Sequence, residues 1–426
     1  MDVVVLFGVF AVLLLLGVPV GFSLASAALA TLAWIGLPPI VFVQQTASGA
    51  ATISLIAIPL FIFTGEIMLR GGISDRIIAL ASSLVGHLRG GLGQVNVVAS
   101  LLFGGVSGSA IADVSAIGGT MIPQMTKRGF APDYAVNVSI SAALAALLVP
   151  PSHNLILYSA AAGGGISIAS LFTAGIIPAL MVTLAMGITG WVIARRRGFA
   201  VEAFPGLHAV LRRLVAALPG LLLVALILGG IRAGIFTAVE SAAVAVVYAL
   251  LVTALAYRQL QLRAFLATCA GAVRSTGAIL FVIAAAASFG WLMAYLQLPA
   301  AAVEALQSVA DSRIAILLLI VLVLLVLGTF MDMAPLIIIT TPIFLPVAKA
   351  FGIDPIHFGI VLILTAGIGL ITPPVGSVLF VGAAIGRISV TQALRGIWPF
   401  YLAAIAVLAL VIFVPGLSLW LPALFK

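Results

Sequence analysis

Two short runs, far apart in the chain, carry groups able to do chemistry: Gly104-Gly105-Val106-Ser107-Gly108-Ser109 and Gly328-Thr329-Phe330-Met331-Asp332. Each interrupts an apolar stretch with glycine and side-chain oxygens. In a bilayer such an interruption leaves backbone carbonyls and amides without helical partners. Each turn must therefore be buried in protein or line a wet cavity, and each reads as the tip of a re-entrant helical hairpin. Further along each half comes a second break, Val149-Pro150-Pro151-Ser152 and Thr372-Pro373-Pro374-Val375. Two consecutive prolines remove two amide donors and clash with the preceding turn, so a helix must open there. Opened helix C-terminal ends and free carbonyls suit Na⁺, and helix N-termini suit an anion. The candidate oxygens are Ser107, Ser109, Ser152 and Asn154 in the first half, and Thr329, Asp332, Thr372 and Ser377 in the second. For any one serine, close helix packing is the competing explanation.

The acidic residues sharpen the pattern. The chain has only 11, and Glu66, Asp113, Glu240 and Asp332 fall inside apolar segments, where a carboxylate is costly and by default functional. Asp113 and Asp332 sit within four residues of the two tips, which suits them to cation-site electrostatics. Glu66 is expected to pair with Arg70 one helical turn on, in a structural role. Glu240 reads as a helix-bundle contact. His153, beside the proline break, either faces a substrate or starts a helix.

The elements that position these groups are duplicated. A shift of 223 residues lays 105–163 on 328–386 without a gap. Pro123, Pro132, Pro150 and Pro151 then meet Pro346, Pro355, Pro373 and Pro374, and Gly105, Gly129 and Gly163 meet Gly328, Gly352 and Gly386. Two copies of one broken-helix module in an apolar chain mark a secondary transporter. In this register Ser109 meets Asp332 and Asp113 meets Leu336, so the two halves would hold similar, not identical, sites.

Composition places the whole in a membrane. Of 426 residues, 64% are hydrophobic and 7% charged, against about 25% charged in soluble domains. At about 20 residues per crossing, the chain should hold about ten to twelve spans plus re-entrant elements, an all-α polytopic fold of two repeats, with inversion preferred. The +8 formal charge reads as the basic flank of inner-membrane loops, with Arg195-Arg196-Arg197 and Arg212-Arg213 cytoplasmic. No aromatic-rich basic face supports nucleic-acid binding. Met1-Asp2 leads straight into an apolar stretch, expected to be a retained first span. Cys269 is the one cysteine and reads as a packing residue. No transition-metal cluster or cofactor is expected.

The map that follows has scaffold helices and an interfacial arm helix in 1–91, with a bend at Pro59 and the arm at 73–89. A first transport module occupies 92–165. Linking and second-repeat scaffold helices occupy 166–312, with a second arm at 258–274 and a span at about 275–297. A second module at 313–387 and a C-terminal helix in 388–426 complete it.

At these residues the chain resembles the large membrane subunit of tripartite ATP-independent periplasmic (TRAP) transporters. The likeness is carried by Gly-Val-Ser-Gly-Ser-Ala-Ile-Ala-Asp (105–113), Ala-Ile-Gly-Gly-Thr-Met-Ile-Pro (116–123), Val-Pro-Pro-Ser (149–152) and Ile-Thr-Pro-Pro-Val-Gly (371–376). The segment 234–243 is similar too, although Ala238 and Val239 depart from the Pro-Thr often seen there. The resemblance implies an inverted-repeat elevator, a scaffold carrying a mobile domain of two hairpins and two broken helices, with the arms joining them. It implies Na⁺-driven uptake of an organic acid (a carboxylate), delivered by a periplasmic binding protein, with a small four-helix membrane subunit as a separate chain. Carried over, one Na⁺ site involves Ser107, Ser109, Val149, Pro150, Ser152 and Asn154. The other involves Gly328, Thr329, Asp332, Thr372 and Gly376. The nearest rival is a stand-alone ion-coupled carboxylate symporter of the divalent-anion type. An intramembrane aspartyl protease would want Gly-x-Gly-Asp and Tyr-Asp contexts, and here they are Ile-Ala-Asp and Phe-Met-Asp.

Overall fold

The computed structural model describes residues 1–199, 203–259, 261–307 and 312–424. Residue 260 of the expected second arm, 200–202 of the basic loop and 425–426 of the tail thus lie outside the described residues, as do 308–311 at the end of the second linking region. Every regular element described is helical. The first half runs α1 (Asp2–Leu15), α2 (Val20–Trp34), α3 (Ile40–Ala50), α4 (Ala57–Arg70), α5 (Ile73–Val85), α6 (Gly91–Ser107), α7 (Ala110–Asp113), α8 (Gly119–Lys127), α9 (Pro132–Ala142), α10 (His153–Ala161) and α11 (Ile168–Arg196). The second runs α12 (Leu207–Arg232), α13 (Ala238–Leu251), α14 (Leu262–Tyr295), α15 (Leu298–Gln307), α16 (Arg313–Phe330), α17 (Met333–Ala350), α18 (Pro355–Leu370), α19 (Ser377–Gly386), α20 (Val390–Phe413) and α21 (Gly416–Ala423).

The 223-residue offset survives as structure. It carries α6 onto α16, α9 onto α18, α10 onto α19 and α11 onto α20, and the stretch 110–127 onto α17. The stretch 110–127 is itself α7, a π-helical turn at Val114–Gly118 and α8, whereas α17 is unbroken. Packing is exchanged between halves: α10 lies against α17, and α19 lies against α7, the π turn and α8. The broken helices form the dry centre, with Tyr134–Ala142 of α9 and His357–Leu370 of α18 buried throughout. Around them α14 packs on α2, α3 and α4, and α13 packs on α4.

Local chemistry explains the breaks. Gly108 adopts φ +59°, the left-handed conformation that closes a helix, and its amide bonds the Gly104 carbonyl at 2.9 Å. Glycine reaches that conformation without a Cβ clash. The next residue, Ser109, caps α7, its Oγ accepting the Ala112 amide. In the second half Asp332 caps α17, its Oδ1 accepting the Met333 amide at 2.9 Å. Past α9 the chain tightens into a 3₁₀ turn at Ala145–Leu147 before the prolines, and Pro150-Pro151 and Pro373-Pro374 are both cis.

Four expectations are corrected. The interruption after α3 falls in 51–56, ahead of Pro59, which is the third residue of α4. In the first turn of a helix a proline sacrifices an amide that has no intrahelical partner anyway. The 258–274 segment is not a helix apart from 275–297, because Leu262–Tyr295 is one continuous helix of 34 residues. Position 73–85 plus the offset lands instead on the neighbourhood of α15. Glu240 is not a bundle contact: it closes a capping box at the start of α13, its Oε2 accepting the Thr237 amide at 2.7 Å. Finally, among the described residues seven helices are long and apolar enough to cross a membrane, or eight if the pair α4 and α5, bent by 68°, is one span. The expected ten to twelve is not reached because breaks leave several apolar helices only 10–17 residues long.

Candidate functional site

The two tips meet. A cavity of about 430 Å³ is lined by Ser107, Ser109 and Ala110 of the first tip, by Asp332, Met333 and Ala334 of the second, and by His153 and Asn154 at the start of α10. Glu66 of α4 and Ser275 of α14 line it as well. Residues some 220 apart in sequence thus share one space because each helix is interrupted at the corresponding position of its repeat.

Close backbone contacts hold the first tip. A Cβ on Gly104 would lie 2.6 Å from the Cα of Ala146, and one on Gly108 would lie 2.8 Å from the Pro151 carbonyl oxygen. These glycines let the hairpin seat directly on the opened helix. Asn154 donates from Nδ2 to the Gly108 carbonyl at 3.1 Å, and Ser152 donates to the Leu147 carbonyl freed by the proline break. The Ser107 Oγ and the Asn154 Oδ1 are buried with no hydrogen-bond partner among the described residues. A buried polar atom without a partner costs about 1–3 kcal/mol, so these two oxygens mark a place where something else belongs.

The second tip repeats the seating with different atoms. Gly369 would place a Cβ 2.6 Å from the Gly328 carbonyl carbon, and the Val375 amide donates to the Thr329 carbonyl at 2.9 Å. The Asp332 Oδ1 also accepts from Ser377 Oγ at 3.3 Å, and Thr372 Oγ1 donates to the Ile368 carbonyl. Gly376 sits at φ +26° beside the Thr372 carbonyl.

Of the residues singled out by sequence, Ser107, Ser109, His153, Asn154 and Asp332 line the cavity. Val149, Pro150, Ser152, Gly328, Thr329, Thr372, Gly376 and Ser377 do not; they build the tips and breaks behind it. Asp113 is brought elsewhere. It is fully buried inside the first module, its carboxylate beside the Ser100 hydroxyl. Glu66 pairs with Arg70 at 3.5 Å as expected, yet it also faces the cavity. Ser275 and Ser115 were missed, and a serine in a helical stretch gives no signal that could have found them. Glu66 did give one, its carboxylate within an apolar segment.

The sequence matches the family described as "Tripartite ATP-independent periplasmic transporter, DctM component" over residues 7–417. It is 38% identical to the sialic acid TRAP transporter large permease protein SiaM of Vibrio cholerae, covering 97% of this chain and 96% of that one. It is 34% identical to the 2,3-diketo-L-gulonate TRAP transporter large permease protein YiaN of Escherichia coli, covering 94% of each. Among solved structures, that of the YdaH transporter of Alcanivorax borkumensis superposes with a TM-score of 0.63 at 16% identity, over 88% of this chain and 87% of that chain. At that identity the likeness concerns the fold alone.

Proposed function

The chain belongs to the DctM component family of tripartite ATP-independent periplasmic transporters, and from that premise we propose that it carries an organic carboxylate inward, coupled to Na⁺. It is a multi-pass protein of the bacterial inner membrane and a transport component, not an enzyme. A tripartite system has two further parts, which we take to be a small membrane subunit and a periplasmic binding protein that delivers the substrate. The observation that carries the reading is the meeting of two duplicated tips in one cavity, with unpartnered oxygens on Ser107 and Asn154.

Na⁺ prefers hard oxygen ligands, and oxygens freed from helices supply them without a full negative charge. One ion is assigned to Ser107, Ser109, Asn154 and the 149–152 break, and a second to the 328–332 tip with Asp332 and the 372–376 break. The substrate carboxylate would then sit between ions and helix N-termini, where developing repulsion among oxygens is offset by the cations. The exchanged packing of α10 on α17 and α19 on the α7–α8 stretch is what a two-fold relation between the repeats produces. We take the repeats to be inverted and the two modules to move as an elevator past α4 and α14, the arrangement from which alternating access is readily built. Both relatives named above are named for carboxylic acids, sialic acid and 2,3-diketo-L-gulonate.

The test is uptake into proteoliposomes holding this chain and its small partner, with a panel of organic acids and cognate binding proteins. Uptake requiring both an inward Na⁺ gradient and the binding protein is expected. Uptake with Na⁺ but no binding protein would make this a stand-alone symporter, and uptake indifferent to Na⁺ would remove the ion from the mechanism.

A further inference from the structure

The first hairpin encloses a carboxylate that the cavity does not use. Asp113 is fully buried, although Ala112 before it and Ser115 after it line the cavity. Its carboxylate lies beside the Ser100 hydroxyl of α6, and beyond that contact neither group has a hydrogen-bond partner among the described residues. Nothing packed on it balances the charge. The short helix α7 lies against α6, the π turn, α19 and the 3₁₀ turn at Ala145–Leu147, and none of these carries a charged side chain. Of the helices packed on the π turn, α8 has Lys127 and Arg128 exposed at its far end, and α9 has Asp133 held by Arg197. A carboxylate taken out of water without a counter-charge is too costly to stand alone.

Asn96, one helical turn before Ser100, supplies a further oxygen. Ser139 Oγ lies 2.8 Å from the Ala135 carbonyl oxygen and 2.9 Å from the Asn96 side-chain amide. A hydroxyl has one proton to give, and the carbonyl takes it. Asn96 therefore turns its NH₂ to Ser139, and its oxygen is the buried end without a partner. The second repeat shows that the fold does not need this cluster. The 223-residue shift puts Leu336 at Asp113, Leu319 at Asn96, Val323 at Ser100 and Leu362 at Ser139. With one residue allowed for the longer first tip, Asn96 and Ser100 fall on Ile320 and Leu324, aliphatic again. There α17 runs unbroken, whereas Asp113 is followed at once by the π turn, a geometry frequent at functional sites. Polar cluster and π turn thus occur together in one repeat and are both missing from the other.

We propose that Asp113, Ser100 and Asn96 bind a further cation, Na⁺, inside the first module, behind the tip and apart from the cavity. Hard oxygens that include a single carboxylate suit a monovalent ion. Bound there, the ion ties α6 to α7 and fixes the hairpin whose tip presents Ser107 and Ser109. The site draws on neither of the two tip assignments, since none of its ligands belongs to them.

The experiment is equilibrium binding of radioactive Na⁺ to the full chain in detergent, without substrate. A variant with both tips disabled, Ser107→Ala with Asp332→Asn, should still bind Na⁺. Adding Asp113→Asn should weaken that remaining binding about tenfold or more. So should exchanging the cluster for its counterparts in the second repeat, Asn96→Leu, Ser100→Val and Asp113→Leu, a variant expected to fold because the second repeat packs with those residues. Ser100→Ala keeps the carboxylate and should weaken binding by a smaller factor, and it carries the test should the other variants not fold. Remaining Na⁺ binding that is indifferent to these substitutions overturns the inference and returns Asp113 to the role of a neutral, packed carboxyl. A tip variant that binds no Na⁺ while the wild type does overturns it as well and leaves the tip sites standing. Absence of Na⁺ binding in the wild type overturns this site and the tip assignments together.

Discussion

Single atoms separate the two kinds of work done at the first tip. Ser107 Oγ makes no hydrogen bond within the protein, whereas Asn154 Nδ2 ties the Gly108 carbonyl to the opened helix. Ser107→Ala should therefore leave thermal stability within about 0.5 kcal/mol while raising the Na⁺ concentration for half-maximal uptake by about tenfold. Asn154→Ala should raise that Na⁺ concentration as well and also lose about 1 kcal/mol of stability with the hydrogen bond. Unchanged Na⁺ dependence in Ser107→Ala would return that hydroxyl to a packing role. Away from the spans, Arg197 holds Asp133 with two hydrogen bonds, at 2.8 and 3.0 Å, and keeps its carboxyl below the ordinary value of 3.8. A depressed carboxylate stabilises the fold above its unfolded pKa, and that contribution disappears as pH falls through the folded one. Both side chains are partly exposed, so solvent screening limits the pair to about 1 kcal/mol or less. Asp133→Asn should melt below wild type at pH 7 and together with it near pH 2, and a gap that persists in acid would point to packing instead.

Helix ends and breaks were legible where backbone chemistry forces them. Tandem prolines and a Gly-Ser tip interrupt hydrogen bonding whatever surrounds them, and both lie where the sequence put them. The 258–274 segment misled because Arg263 and Arg274 look too polar for a span. Yet α14, at 34 residues, is about 51 Å long, against a hydrocarbon core of about 30 Å. Its polar first third can leave the apolar layer without ending the helix. Thr237-Ala-Val-Glu240 had the spelling of a capping box, so that role was readable and overlooked. Glycines of one composition also differ by element. A Cβ at Gly104 collides with the backbone at Ala146, whereas one at Gly119, within α8, meets nothing within 4 Å. Gly104→Ala is expected to cost about 1–3 kcal/mol through overpacking, and Gly119→Ala to be neutral or to stabilise by up to about 1 kcal/mol. Thermal unfolding of the two variants in one detergent checks this, and equal shifts would show that the hairpin is not seated on the opened helix.

On the scale of the molecule, the question is whether the modules move against the scaffold. The repeat could be read from sequence because prolines and glycines sit at matching positions. What faces the repeat could be read only at Glu66 of α4, since the other inward residues of α4 and α14 carry no mark distinguishing them from lipid-facing ones. A second cavity, of about 250 Å³, lies between these parts: Leu157, Ala161 and Ile338 on the module side face Thr52, Ala287 and Gly290 on the scaffold side. Glycine and alanine supply much of its wall (Gly49, Ala160, Ala161, Ala286, Ala287 and Gly290), and small residues let helices approach closely with few interlocking side chains. Ala161 and Ala287 line it together, so cysteines placed there come within reach of a short bifunctional thiol reagent. Cys269, the one native cysteine, would be replaced by serine. If transport requires the module to travel, the cross-linked protein should still bind Na⁺ and substrate but lose uptake, and each single-cysteine variant treated alike should keep it. Uptake retained after complete cross-linking would mean that the substrate crosses without displacement of α10 against α14. In that case the duplicated tips would open in turn as gates around a stationary cavity.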